Sequence, residues 1–418
     1  MRTRILASLL LFLLAPLAQQ AAPLLLRPGD KLAVCGDSIT EQKRYSVFIE
    51  DYLLACQPAA NLSAIQFGWG GDTTWGFLSR LHQNVAPFRP TVAATCFGMN
   101  DGGYLPVAQA GERLDRYRQS LDGIVANFKA AGVRDIVVGS PGVVDTGTFR
   151  RLSPDAYNET LAALGDIARE VAEKHGARFA DVHGAMLAAM KKAKAKYGPD
   201  HPVAGGDGVH PGANGHLVMA YAFLKALGCD GDIGAITWDC AAGRATATGG
   251  HRVLAATRTA VELESTRYPF CFFDGGGDIA SARRMVEFLP FNDDLNRYTL
   301  VVKNAPAPRV KVTWGKAARE FAAADLERGI NLAAEFLDNP FCDAFARVHE
   351  TVMAQQAYET DAVKILLTSL PVWTKHFPGE EKNTAARQEL ILKKSAALVA
   401  ESKASVSPVR HTLAIEAL

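Results

Sequence analysis

The chain has 418 residues, is 48% hydrophobic, and its 45 basic and 44 acidic residues leave a formal charge of +1. That length exceeds what one core usually takes, so more than one domain is expected. With neither a basic excess nor an acidic tail, the chain is not built to bind nucleic acid, and no segment reaches the roughly 18 apolar residues of a stable membrane span.

The N-terminus carries Arg2 and Arg4, an apolar run over 5–14, then Pro16 and the small residues Ala18, Ala21 and Ala22. This pattern reads as a secretory signal peptide spanning 1–22, so the expected location is secreted or periplasmic. No cysteine follows the expected cut, which argues against a lipid anchor. Apolar runs and helical patterns then alternate: strands near 31–35, 62–67, 91–97, 135–139 and 178–182, with helices near 44–55, 74–85, 108–131 and 154–175 between them. Such alternation predicts an α/β fold, a parallel sheet with helices on both faces.

Three strings fall at the ends of these strands. Gly36-Asp37-Ser38-Ile39-Thr40 follows the first, at a strand-to-helix turn on the sheet's carboxyl edge, where ligands of open α/β sheets bind. Ser38 is placed there to face a crevice as a nucleophile, although Asp37-Ser38 also suits a plain helix cap. Gly98-Met99-Asn100-Asp101 follows the third strand; the Asn100 amide suits an oxyanion donor, and the same residues suit an Asx-turn. In Asp207-Gly208-Val209-His210, before Pro211, the carboxylate is close enough in sequence to orient the imidazole; a cap beside a solvated histidine is the alternative. Between the first two lies Gln66-Phe67-Gly68-Trp69-Gly70-Gly71-Asp72-Thr73-Thr74. It lacks the Gly-Lys-Ser/Thr of a Walker loop and the dinucleotide spacing, so the Gly71 N–H is left as a second oxyanion donor beside that of Ser38.

Serine-based acyl transfer needs a hydroxyl, an imidazole, a carboxylate and oxyanion donors, and these strings supply all four. Together they resemble the blocks of the SGNH hydrolases, also called GDSL esterases or lipases, over roughly 28–230. The resemblance implies a flavodoxin-like three-layer α/β/α sandwich, with Ser38, Asp207 and His210 catalytic and Ser38, Gly71 and Asn100 forming the oxyanion hole. Many relatives have Asn where Gln66 stands and Ser where Gly70 stands, positions that bear on substrate fit. No cofactor is required, and the histidines and cysteines lack metal-ligand spacing.

After the hydrolase domain, 28–232, short β-rich pieces at 252–256, 260–264, 298–303 and 309–314 suggest a β-rich domain over 247–320, with turns at Gly275-Gly276-Gly277 and Pro306-Ala307-Pro308. A helical region is expected over 321–418, as a layer on the β-region or a lid at the active site. Of seven cysteines, Cys35 and Cys96 are expected as buried thiols, Cys229 and Cys240 as a local disulfide, and Cys271 with Cys342 as a further pairing. The charged residues of 112–116 and 191–196 read as solvated helix faces. Trp69, Trp75 and Tyr104 are candidates for stacking on sugar rings, or simply for walls of the crevice. The expected substrate is a small-molecule or polysaccharide ester, with O-acetyl groups on carbohydrate favoured. A short-chain lipid or general esterase, an acyltransferase and a non-catalytic glycan-binding protein are the alternatives.

Overall fold

The computed structural model describes residues 23–57, 59–272 and 279–418. The expected leader over 1–22 and the Gly275-Gly276-Gly277 turn lie outside the described residues.

The N-terminal half follows the alternation of its sequence: β1 (Lys31–Gly36), α1 (Ser38–Glu41), α2 (Tyr45–Ala55), β2 (Ser63–Gly68), α3 (Thr74–Asn84), β3 (Val92–Cys96), α4 (Gly111–Ala130), β4 (Asp135–Gly139), α5 (Pro154–Lys174), β5 (Arg178–Ala180), α6 (Val182–Tyr197) and α7 (Ala213–Leu227). The five strands pair in parallel in the order β2-β1-β3-β4-β5. That order is the flavodoxin-like one and puts a crevice at the carboxyl ends of β1 and β3, where the strand order switches. The three strands β2, β1 and β3 are nearly continuous runs of buried residues, as a parallel sheet covered on both faces requires.

Two further sheets follow. β6 (Asp232–Asp239) and β7 (Arg244–Ala247) precede the hairpin strands β8 (His251–Ala256) and β9 (Ala260–Ser265). After the short helices α8 (Ala282–Met285) and α9 (Phe291–Leu295) come β10 (Arg297–Lys303), β11 (Arg309–Trp314), β12 (Ala317–Ala322), α10 (Ala323–Arg328), β13 (Ile330–Asn331) and α11 (Leu332–Glu335). One sheet runs β13-β10-β6-β7; the other takes its central strand from the C-terminus, β14 (Val409–Ala417), and runs β12-β11-β14-β9-β8. They meet across Tyr298 of the first and His251, Trp314 and His411 of the second, with ring centroids 4.6–6.4 Å from Tyr298. Burial pushes the His411 imidazole down to about 3, so the ring is neutral and accepts the Trp314 indole N–H at 3.1 Å.

Three expectations need correction. The β-rich region starts at Asp232, because Ile233, Ile236 and Trp238 of β6 are core residues hidden behind a Gly/Asp-rich beginning. The helical region does not reach the C-terminus: His411, Leu413 and Ile415 alternate inward along β14, the period of a half-buried strand. All seven cysteines are free thiols. Cys229 and Cys240 stand at opposite ends of the eight-residue strand β6, and at about 3.3 Å per residue an extended strand that long carries them far beyond bridging distance.

The helical part comprises α12 (Cys342–Asp361), a π-helical stretch (Ala362–Leu367), α13 (Thr368–His376) and α14 (Glu381–Ser405). It packs on the N-terminal half, with α12 against α2 and the edge strand β2. An open edge exposes unpaired backbone groups. Here side chains satisfy them: Glu50 accepts the Ala64 N–H at 3.0 Å, Glu359 the Gln66 N–H at 2.9 Å, and Gln355 donates to the Ala64 carbonyl at 3.1 Å. Among the described residues no helix is long and apolar enough to cross a membrane.

Candidate active site

Ser38 opens α1 directly after β1, and the Asp37 carboxylate caps that helix by accepting the Ile39 N–H at 2.9 Å. The turn demands glycine at 36, since a Cβ there would stand 1.9 Å from the Thr40 hydroxyl and 2.7 Å from the Cys96 carbonyl. The cap reading of Asp37 and the nucleophile reading of Ser38 are therefore compatible, because different side chains carry them.

From the other end of the domain, the loop before α7 brings His210 to Ser38, with His210 Nε2 2.8 Å from Ser38 Oγ. His210 Nδ1 lies 2.6 Å from Asp207 Oδ2, while Asp207 Oδ1 accepts the N–H groups of Val209 and His210 at 2.9 Å each. Asp207 thus closes its own turn and orients the imidazole at once. Partial burial alone would raise this carboxyl, but the bonds from the His210 ring and the two N–H groups outweigh it and hold Asp207 below the usual range, ionised. Gly208, at φ +77°, is obligatory because a Cβ would collide with the Phe149 backbone at 2.4 Å. His216, the nearest rival base in sequence, is buried and pushed down to about 3; its ring accepts the Tyr45 N–H and lies 2.6 Å from the Gln42 side-chain oxygen.

The two remaining strings are stitched to each other. Asn100 Nδ2 donates to the Asp72 carbonyl at 2.9 Å, leaving its second amide hydrogen available. Asp101, buried and pushed up to about 6 by desolvation, accepts the Thr74 N–H at 2.9 Å and the Thr74 hydroxyl at 2.6 Å. Gly71 adopts φ +75°, a left-handed conformation that favours glycine. No described residue accepts the N–H of Ser38 or Gly71. Beneath Ser38, burial first, and then the charges of Asp101 and Asp72, raise the Asp37 carboxyl to about 7.

Ser38, His210 and Asp207 are thus brought into one hydrogen-bonded chain, and the loop of Gly71 is bonded to that of Asn100. Each aromatic candidate already has a protein partner: Arg80 and Lys364 stand 5.0 and 5.4 Å from the Trp69 ring centroid, Arg116 lies over Trp75 at 4.0 Å, and Tyr104 stacks on Tyr157 at 5.0 Å. The lysine run on α6 is not all solvated either. Lys194 turns inward and bonds buried Asp145 at 2.8 Å, shaping the loop that leads to Asp207.

Sequence reasoning missed Thr74 and Arg80, which anchor Asp101 and Asp72. A polar residue at a helix start and a cation nearly two turns on were the available signals. It also missed Glu41 and Lys364, whose 323-residue separation leaves no local signal.

Residues 34–218 match the GDSL-like lipase/acylhydrolase family. The chain is 25% identical over 220 residues to an acetylxylan esterase of Geobacillus stearothermophilus, covering 48% of this chain and 94% of that protein. Among solved structures, a gut microbial diltiazem-metabolizing enzyme superposes on 96% of this chain and 100% of its own, with a TM-score of 0.74 at 22% identity. That likeness extends the shared fold through the C-terminal sheets and helices. A catalytic mutant of an acetylxylan esterase from Geobacillus stearothermophilus covers 49% of this chain and 96% of its own, with a TM-score of 0.41 at 23% identity.

Proposed function

We propose, from the match of residues 34–218 to the GDSL-like lipase/acylhydrolase family, that the chain is an SGNH-type ester hydrolase, and more specifically an exported esterase that removes O-acetyl groups from carbohydrate. The observation that carries the chemistry is the chain Ser38 Oγ to His210 Nε2 at 2.8 Å and His210 Nδ1 to Asp207 Oδ2 at 2.6 Å. Ser38 attacks the ester carbonyl while His210 takes its proton and then gives it to the leaving alcohol. Water, deprotonated by the same imidazole, then releases the acid and restores Ser38. Asp207 stabilises the imidazolium in both steps. The oxyanion is held by the N–H groups of Ser38 and Gly71 and by the free amide hydrogen of Asn100.

The preference for acetyl groups on a polysaccharide is supported by the sequence likeness to an acetylxylan esterase, and export by the apolar run behind Arg2 and Arg4. The test is acetate release from acetylated xylan beside hydrolysis of p-nitrophenyl acetate, with wild type and Ser38→Ala. Release from xylan by wild type alone supports the proposal. Turnover of the small ester only reduces it to a general esterase, and silence from wild type on both substrates refutes it.

A further inference from the structure

Glu41 and Lys364 join the nucleophile's helix, the glycine loop and the C-terminal half at one point. Glu41 ends α1, the helix that Ser38 begins. One oxygen of its carboxylate accepts the Gly70 N–H, and the other lies 2.5 Å from Lys364 Nζ. The two side chains are only 24% and 27% exposed, so the pair escapes much of the screening that weakens surface ion pairs. The Lys364 ammonium also stands 5.4 Å from the centroid of Trp69, the residue before Gly70, while the Arg80 guanidinium stands 5.0 Å from it.

The glycine loop needs such a tether. A Cβ added at Gly71 would meet nothing within 4 Å, so no side-chain packing fixes this peptide. Its direction is set by polar contacts on either side: Gly70 N–H to Glu41, Asp72 N–H to the Trp69 carbonyl at 3.0 Å, and Asn100 to the Asp72 carbonyl. Lys364 arrives from a π-helical stretch, a widened turn frequent at functional sites. Two side chains of α3 hold that turn, Asn84 bonding the Val363 carbonyl at 2.8 Å and Gln83 the Leu367 carbonyl at 3.0 Å.

We propose that Lys364 is a positioning residue for acyl transfer: acting through Glu41, it fixes the Gly70 peptide and so aims the Gly71 N–H at the developing oxyanion. Lys364 touches no reacting atom, and the inference rests on Ser38 being the nucleophile. A contact that merely docked the helix would leave turnover per folded site unchanged. A misaimed donor instead lowers kcat and spares KM, because the oxyanion exists only in the transition state.

The experiment compares the full-length wild type with Lys364→Met, which keeps the stem over Trp69, Lys364→Arg, which keeps the charge, and Glu41→Gln. Active serines are titrated with a fluorophosphonate, and p-nitrophenyl acetate turnover is expressed per titrated serine. Losing a whole oxyanion donor costs roughly 10²–10³, so a loosened one is expected to lower kcat about 10-fold in Lys364→Met and Glu41→Gln, with KM within about two-fold. Affinity for a methylboronic acid should fall by the same factor, and Lys364→Arg should recover most of both. An unchanged kcat per titrated serine, a loss that falls on KM, or no recovery with arginine overturns the proposal. If Lys364→Met does not fold, the same outcomes in Glu41→Gln decide. A wild type that turns over the ester without fluorophosphonate on Ser38 refutes the nucleophile beneath the proposal, an outcome distinct from failure of the positioning role.

Discussion

In the catalytic half, functional side chains are held by neighbours: Asp37 caps Ile39 two residues on, and Asp207 binds the backbone of Val209 and His210 two and three residues on. The C-terminal half reaches the same domain through partners 293 to 323 residues apart, Glu359 on Gln66, Gln355 on Glu50 and Lys364 on Glu41. Local bonds set the geometry of individual groups. Long-range bonds close the sheet edge and steady the loop between β2 and α3. Substitutions of the first kind should therefore cost rate with little stability, and those of the second kind the reverse, with Lys364 as the place where the two meet.

The largest effect tests the local class. Asp207→Asn keeps an oxygen for the two N–H groups but permits the wrong imidazole tautomer, so kcat should fall by roughly 10⁴ with the melting temperature preserved. A comparable loss of melting temperature would erase the distinction. Asn100→Ala comes next, with a fall of about 10²–10³ in kcat read from steady-state kinetics; an unchanged rate would remove Asn100 from the oxyanion hole. For the long-range class, Gln355→Ala removes the amide donor that the Ala64 carbonyl, Glu50 and Glu359 share, and denaturant unfolding should show a loss of about 1–3 kcal/mol. Its turnover per titrated serine should match wild type, and a selective rate loss would contradict that assignment.

The smallest effect is a pH trend. Burial pushes Glu50 up to about 7, and burial followed by the charge of Glu50 pushes Glu359 up as well. Asp51 is raised by burial; burial alone would lower the His349 imidazole, but its bond to Asp51 and the Asp51 charge outweigh that and raise it. Each of these groups binds its proton more tightly folded than unfolded. For Glu50 the stability so conferred is complete below the ordinary glutamate range and is lost as pH rises through about 7, and for Glu359 it is lost as pH rises above that ordinary range. The wild-type melting temperature should drift down from about pH 5 to about pH 8, and Glu359→Gln should shrink that drift. An identical drift in the variant would take Glu359 out of the account.

The same division decided what the sequence made legible. Ser38, Asn100 and His210 sit in short strings whose residue types already state a chemistry, and the alternation of apolar runs announced the parallel sheet. Strand β14 was written in the inward alternation of His411, Leu413 and Ile415, but it follows a 25-residue helix that coloured the whole tail. Lys194 looked like one lysine of a solvated run, and only its fold neighbours Asp145, Pro199 and His201 reveal an inward anchor. Lys364 carries no signal at all in one dimension, because its meaning depends on where α12 docks.

The most direct test of the acyl-transfer claim is mass spectrometry of the Ser38 peptide after rapid acid quench of the enzyme with p-nitrophenyl acetate. One acetyl group on Ser38, formed in a burst and absent from Ser38→Ala, is the predicted result. Turnover with no acyl group ever on Ser38, or undiminished turnover by Ser38→Ala, would contradict it.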